Sequence, residues 1–202
     1  MSLEIRNKSY KLSNFCESEI LRYAACNASD ENTTRLLREC IKEIESGLSY
    51  KVCFTEIDVD IRGNLCDFGL FKVNSNSLSR NLKDCKRVIL FAATLGTEID
   101  RMILKYSKIS PAKALMFQAI GAERIEALCD RFCLDIKNEI GLDIKPRFSP
   151  GYGDLSLKIQ NDIIKILNTQ KLIGLYLNDS LIMSPSKSVT AFIGIKDEVL
   201  CY

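Results

Sequence analysis

From Arg147 to Asp154 the chain reads Arg-Phe-Ser-Pro-Gly-Tyr-Gly-Asp, a cationic side chain followed by a turn made of one proline and two glycines. Pro150 fixes its own φ and biases Ser149 toward extended backbone, while Gly151 and Gly153 accept angles and close approaches that a Cβ obstructs. A turn of this kind can leave backbone amides free for a small ligand. Asp154 is placed to cap a helix over residues 156–168, which would set Tyr152 on a rigid turn beside a helix N-terminus. The competing reading is an ordinary helix-start turn with a surface arginine, because short glycine motifs recur by chance.

A second group of chemistry-bearing residues lies upstream, in the longest helical pattern of the chain, from Pro111 to about Ile140. Its density of Ala, Leu, Ile, Met, Phe and Cys predicts burial on more than one side. Glu123, Glu126 and Asp130 stand out there, because offsets of three and seven place them on one stripe, with Arg124 and Arg131 directed elsewhere. Such a stripe is either a solvated face or an acidic wall opposite Arg147, able to bind hydroxyls or an amino group.

The chain contains no histidine, which removes histidine-based catalysis and histidine-ligated metals. Its nine cysteines are odd in number and irregularly spaced, so reduced thiols are expected rather than a disulfide framework. Cys129 and Cys133 share a helical face, but no other close pair completes a metal set; core packing is the better expectation.

The elements that must position these residues follow from patterning. At 202 residues, with 47% hydrophobic and 27% charged, the chain is sized for one domain over 1–202, here read as a helical cap (1–48) and a core (49–202). Helices are predicted over residues 18–27 and 30–46, ended by Gly47. Ile57, Val59 and Ile61 alternate with polar residues, predicting a strand with one wet face, and Gly63-Asn64 predicts a hairpin into residues 67–73. Residues 88–93 are apolar on both faces and predict a central strand, followed at Gly96-Thr97 by a helix through Tyr106. The predicted class is α+β: a twisted, largely antiparallel sheet flanked by helices. A net charge of +2 with scattered lysines gives no electrostatic case for nucleic acid. The longest apolar run is far short of the ~20 residues that span a bilayer, and a cytoplasmic protein is expected.

The C-terminal third carries a further signal. The Arg147-x-x-x-Gly151-Tyr152 turn, the amphipathic helix after it, Ile173-Gly174, residues 177–180 and the Met183-Ser184-Pro185 turn into Ser188-Val189 together resemble the activation domain of cobalamin-dependent methionine synthase in its standalone form. Residues 91–98 and 122–130 extend the resemblance, which covers roughly residues 85–195 and only loosely the N-terminal region.

The resemblance implies reductive reactivation. A cobalamin stranded in an inactive oxidation state takes one electron, from a flavodoxin-like or other donor, and a methyl group from S-adenosylmethionine bound by this chain. It implies a partner, a cobalamin-dependent methionine synthase without its own activation domain, which carries the corrinoid. By the same resemblance Arg147 pairs with the methionine carboxylate, backbone atoms at Ser149 read the adenine, Tyr152 lies at the ligand or corrin face, and Gly151 and Gly153 allow that approach. Glu126, favoured over Glu123, matches an acidic helix position near the adenosyl and corrin-facing site. Ser184, Pro185 and Ser188 serve binding or packing. The family's N-terminal aspartate segment has no clear counterpart, and its C-terminal tyrosine is not securely placed, although Tyr202 is near. Two alternatives stay open: a noncatalytic clamp on a corrinoid protein, and the same reactivation for another corrinoid methyltransferase.

Overall fold

The computed structural model describes residues 3–26 and 30–196. It begins with strand β1 (Arg6–Tyr10), helices α1 (Glu17–Tyr23) and α2 (Glu31–Ile44), and strand β2 (Tyr50–Asp58). Short strands β3 (Asp60–Arg62), β4 (Leu65–Asp67) and β5 (Lys72–Asn74) precede helix α3 (Asn76–Asn81) and strand β6 (Cys85–Thr94). Helices α4 (Glu98–Tyr106) and α5 (Pro111–Ile140) follow. A 3-10 turn (Leu157–Ile159), helices α6 (Gln160–Leu167) and α7 (Thr169–Ile173), and strands β7 (Tyr176–Leu177), β8 (Met183–Ser184) and β9 (Ser188–Lys196) complete the described chain.

The main sheet has the order β1-β2-β6-β9, with every neighbouring pair antiparallel. As the apolar run at residues 88–93 predicts, β6 is internal, and its alternate side chains serve two cores. Ile89, Phe91 and Ala93 face Phe54, Phe132 and the helices α1, α2, α4 and α5. Val88, Leu90 and Ala92 face Leu78, Ile163 and Leu167 on the opposite side. Each large apolar side chain buried this way contributes about 1.5–3 kcal/mol, so the sheet is clamped from both faces. The α+β class and the antiparallel sheet are as expected.

Several elements match their expected bounds. Helix α5 spans the predicted residues and ends at Gly141, whose φ of +72° is the left-handed cap that glycine favours. Asp30 caps α2 by accepting from the Asn32 amide at 3.2 Å. The Gly63-Asn64 hairpin joins β3 to β4, but the strand after it breaks at Phe68-Gly69, where the Asp67 carboxylate accepts from the Gly69 amide at 2.9 Å. Asn27, at the end of the first predicted helix, lies outside the described residues, as does Tyr202.

Three differences have clear causes. The strand expected around residues 56–62 starts earlier, at Tyr50, and ends at Asp58; its wet-face alternation belongs only to its exit, whereas Val52, Cys53 and Phe54 are fully buried on both sides. Residues 60–62 form a separate strand in a second, three-stranded sheet. The helical N-terminal region also contributes β1, an edge strand whose mixed sequence Arg-Asn-Lys-Ser-Tyr shows little strand pattern by itself but is paired along its whole length with β2.

Past α5 the chain returns along the outer edge of β9. Lys196 N–H donates to Asp143 C=O at 2.9 Å, Lys145 N–H to Gly194 C=O at 2.7 Å, and Phe148 and Phe192 exchange both backbone bonds at 2.9 Å. The pairing ends there. At Ser149-Pro150 the backbone turns away, which opens the Ser188-to-Thr190 end of the β9 edge to a cleft.

Candidate functional site

The cleft has a volume of about 760 Å³ and is walled by α5, by residues 144–152, by the start of α6 and by the first residues of β9. Arg147 lies on the segment that pairs with β9, and its neighbour Phe148 is partly buried, packed against the core on the far side of the sheet. Alternation therefore sends the Arg147 side chain back toward α5, where it donates to the carboxylates of Glu126 and Asp130. The guanidinium is only 25% exposed. Burial opposes its charge, but the hydrogen bond to Asp130 and the charges around it outweigh that effect and hold it protonated well above its ordinary range. Glu126, 45% exposed, keeps part of its carboxylate toward the cleft.

Of the residues singled out by sequence, Glu126, Arg147, Ser149 and Tyr152 line this cleft together. Tyr152 stands at the mouth, 67% exposed, with its ring centroid 6.4 Å from that of Phe148. Gly151 and Gly153 are in the turn but do not line the space. The amides expected to be free are in part committed: Gly151 N–H donates to Leu155 C=O at 2.9 Å, and Tyr152 N–H to Ser149 C=O at 3.2 Å. Gly153, at φ +55°, serves packing, because a Cβ built there would lie 2.4 Å from Ser77 Oγ.

Two acidic residues are not where the sequence reading puts them. Asp154 does not cap the helix that follows it; its carboxylate closes the N-terminus of α3, accepting from the Asn76 amide at 2.8 Å and the Ser77 amide at 3.0 Å. Ser156 caps the following 3-10 turn instead. Glu123 leaves the acidic stripe: it is 6% exposed and paired with Arg124, which is 2% exposed, and it also accepts from the Cys16 amide at 3.4 Å. A helix at 100° per residue separates positions three apart by about 60°, enough to turn Glu123 inward while Glu126 stays at the cleft.

Residues that sequence reasoning missed complete the walls. Lys145 lines the cleft beside Arg147, as does Cys133, which the sequence marks only as a packing residue. Burial pushes the Cys133 thiol up, against the pull of Arg147. Gln160, the first residue of α6, and Thr190, on β9, also line it; they are 5% and 2% exposed, and Gln160 Oε1 and Thr190 Oγ1 are buried without a hydrogen-bond partner. Ser188 is satisfied internally, donating to Pro185 C=O at 2.7 Å and lying 2.8 Å from Thr94 Oγ1. Gln160 carried a signal that was available: it sits three and seven residues before the buried Ile163 and Leu167, a polar group on an apolar stripe. Thr190 carried none, since threonine is ordinary in strands.

Of the other described thiols, Cys40, Cys53, Cys66, Cys85 and Cys129 are buried, Cys26 is partly buried and Cys16 is exposed. Burial pushes Cys40 and Cys66 up to about 11 and Cys53 up to about 12. Among the described residues no group of three or more Cys, Asp or Glu side chains is arranged to hold a metal ion, and no helix is long and apolar enough to cross a membrane.

Comparison with solved structures finds the same architecture in a MetH reactivation domain bound to AdoHcy. That structure superposes with a TM-score of 0.68 over 99% of this chain and 81% of the other, at 14% sequence identity. The likeness bears out the resemblance read from the sequence at the level of the fold. No protein-family model and no curated protein matches the chain.

Proposed function

We propose that this chain binds S-adenosylmethionine in the cleft beside Arg147 and presents its methyl group to the cobalamin of a partner methionine synthase that lacks a reactivation domain of its own. The partner's cofactor supplies a cobalt nucleophile after one-electron reduction by a flavodoxin-like donor, and S-adenosylmethionine supplies a methyl group already activated by its sulfonium. What the chain contributes is binding and orientation. Arg147 takes the α-carboxylate in a charge-assisted pair, and Glu126 offers its carboxylate to the α-ammonium. The backbone at Ser149 meets the adenine, and Tyr152, exposed at the mouth, meets the incoming partner.

The observation that carries this reading is the Arg147–Glu126 pair at the wall of a cleft of about 760 Å³, in the fold of a domain solved with AdoHcy. An adjacent cation and anion complement the two charges of an amino acid, and the volume lies within the roughly 300–1,000 Å³ of small-molecule pockets. The buried, unpartnered Gln160 and Thr190 atoms also fit a site meant to receive polar groups. The site needs no metal and no histidine, in keeping with a chain that has no histidine.

The test mixes this protein with a cob(II)alamin-loaded methionine synthase lacking a reactivation domain, S-adenosylmethionine and a reductant, and follows the visible spectrum. Methylcobalamin formed only when this chain is present supports the reading. A noncatalytic corrinoid-protein clamp is the second reading, favoured by the fact that Glu126 and Asp130 already satisfy Arg147 without any ligand. It is supported if the chain binds the partner but not S-adenosylmethionine. Ligand binding without methylcobalamin points to another corrinoid methyltransferase as the client.

A further inference from the structure

The cleft is polarised across the edge of the main sheet. Arg147 and Glu126 are on the side covered by α5, and both are charged. Thr190 is two residues from Phe192 and shares its face, the one packed under α6, and Gln160 opens α6 on that same side. Both are uncharged and almost fully buried, and each ends in an oxygen with no partner. The backbone adds to this wall. In an antiparallel strand the N–H and C=O of alternate residues point to the same edge, so Thr190 directs its pair outward as Phe192 does toward Phe148. There the covering segment has already turned away.

Burying two polar oxygens unpaired is costly unless something in the cleft donates to them, and natural structures leave few such atoms. Gln160 Oε1 accepts only, so its partner must carry an N–H or O–H. Thr190 Oγ1 can donate or accept. We infer that Gln160 and Thr190 are the specificity-determining residues for the uncharged, hydrogen-bonding nucleoside end of the ligand, across the sheet edge from the charged pair that holds its amino-acid end. This rests on the reading of the cleft as an S-adenosylmethionine site and adds which side chains hold the nucleoside.

The experiment is calorimetric titration of the full chain with S-adenosylhomocysteine and with 5′-methylthioadenosine, which keeps the nucleoside but lacks the charged end. The variants are Gln160→Met, Thr190→Val and Arg147→Ala, each also followed by thermal unfolding. Gln160→Met and Thr190→Val should each lower affinity for both compounds about ten-fold, the worth of one hydrogen bond of ordinary strength, while the unliganded protein melts no lower than wild type. Arg147→Ala should weaken S-adenosylhomocysteine and leave methylthioadenosine unchanged. A merely structural role would instead move the melting temperature of the unliganded variants down. Wild-type affinity in both isosteric variants overturns this inference and leaves the S-adenosylmethionine reading standing. A wild-type chain that binds neither compound overturns the reading itself.

Discussion

The Asp154 carboxylate accepts the Ser75 hydroxyl at 2.5 Å and so ties the cleft-side turn to the N-cap of a helix that precedes it by nearly the whole length of β6, α4 and α5. With the Asn76 and Ser77 amides, this bond holds the carboxyl below the usual carboxylate range. A carboxyl depressed in the folded state stabilises the protein above its unfolded pKa of about 3.9, and that contribution drains away as pH falls through the folded value. Melting temperatures recorded from about pH 6 down to about pH 2 should fall for the wild type below about pH 4. Asp154→Asn should start lower at neutral pH and fall less over that window. Parallel curves would show that these bonds do not stabilise the fold.

At Gly153 a substitution by alanine meets two obstacles: a left-handed φ of +55°, and a Cβ that would approach Ser77 Oγ to 2.4 Å and Ser77 Cβ to 2.8 Å. Gly153→Ala should cost about 1–3 kcal/mol in urea denaturation, and Ser77→Gly added to it should recover part of the loss. A neutral single variant would mean that the turn can move off α3 freely.

Arg147→Ala should weaken S-adenosylhomocysteine by roughly 1.5–3 kcal/mol if the guanidinium holds the carboxylate. Arg147→Lys should not restore the affinity, because an ammonium cannot span Glu126, Asp130 and a ligand with the fixed fork of a guanidinium. Isothermal titration of folded variants decides it, and unchanged affinity in Arg147→Ala would remove the assignment.

Glu126→Gln discriminates two roles for one carboxylate. If Glu126 holds the α-ammonium, affinity for S-adenosylhomocysteine drops roughly ten-fold, since a charge-assisted hydrogen bond is lost. If it serves only to hold Arg147, releasing the guanidinium strengthens carboxylate binding. The first outcome is expected, with methylthioadenosine unaffected in the same titration.

The Glu123–Arg124 pair is buried against the N-terminal segment, with the Arg124 guanidinium 4.4 Å from the Phe15 ring centroid and Glu123 accepting from the Cys16 amide. Removing one partner strands the other charge. Glu123→Leu or Arg124→Met alone should cost about 3–5 kcal/mol, and the double variant should recover most of that. Denaturant midpoints of the three proteins measure the difference; additive losses would contradict a coupled pair.

What the sequence discloses divides along physical lines. Residues 88–93 announce a doubly buried strand and residues 111–140 a buried helix, because hydrophobic periodicity is local and strong there. The Arg147-to-Tyr152 turn is legible because proline and glycine have unusual backbone needs. Strand β1 is not, since Arg6, Lys8 and Tyr10 are placed by pairing with β2, a contact across 40 to 48 residues that no local pattern records. For the same reason Asp154 is misread. It stands where a cap for the next helix belongs, and only the tertiary structure brings the α3 N-terminus to it. Glu123 and Glu126 look equivalent in sequence and are separated by the presence of Arg124 and Cys16 beside the first.

The return segment at residues 143–148 and the tie from Asp154 to Ser75 have a consequence for the order of folding. The cleft has walls from α5, the return segment, α6 and β9, and its turn is fastened to a residue 79 positions earlier in the chain. Contacts so distant in sequence close last, after the local helices have formed. On dilution from denaturant, helical circular dichroism should therefore recover before ligand capture does, and the delay between the two signals should lengthen when Asp154 is removed.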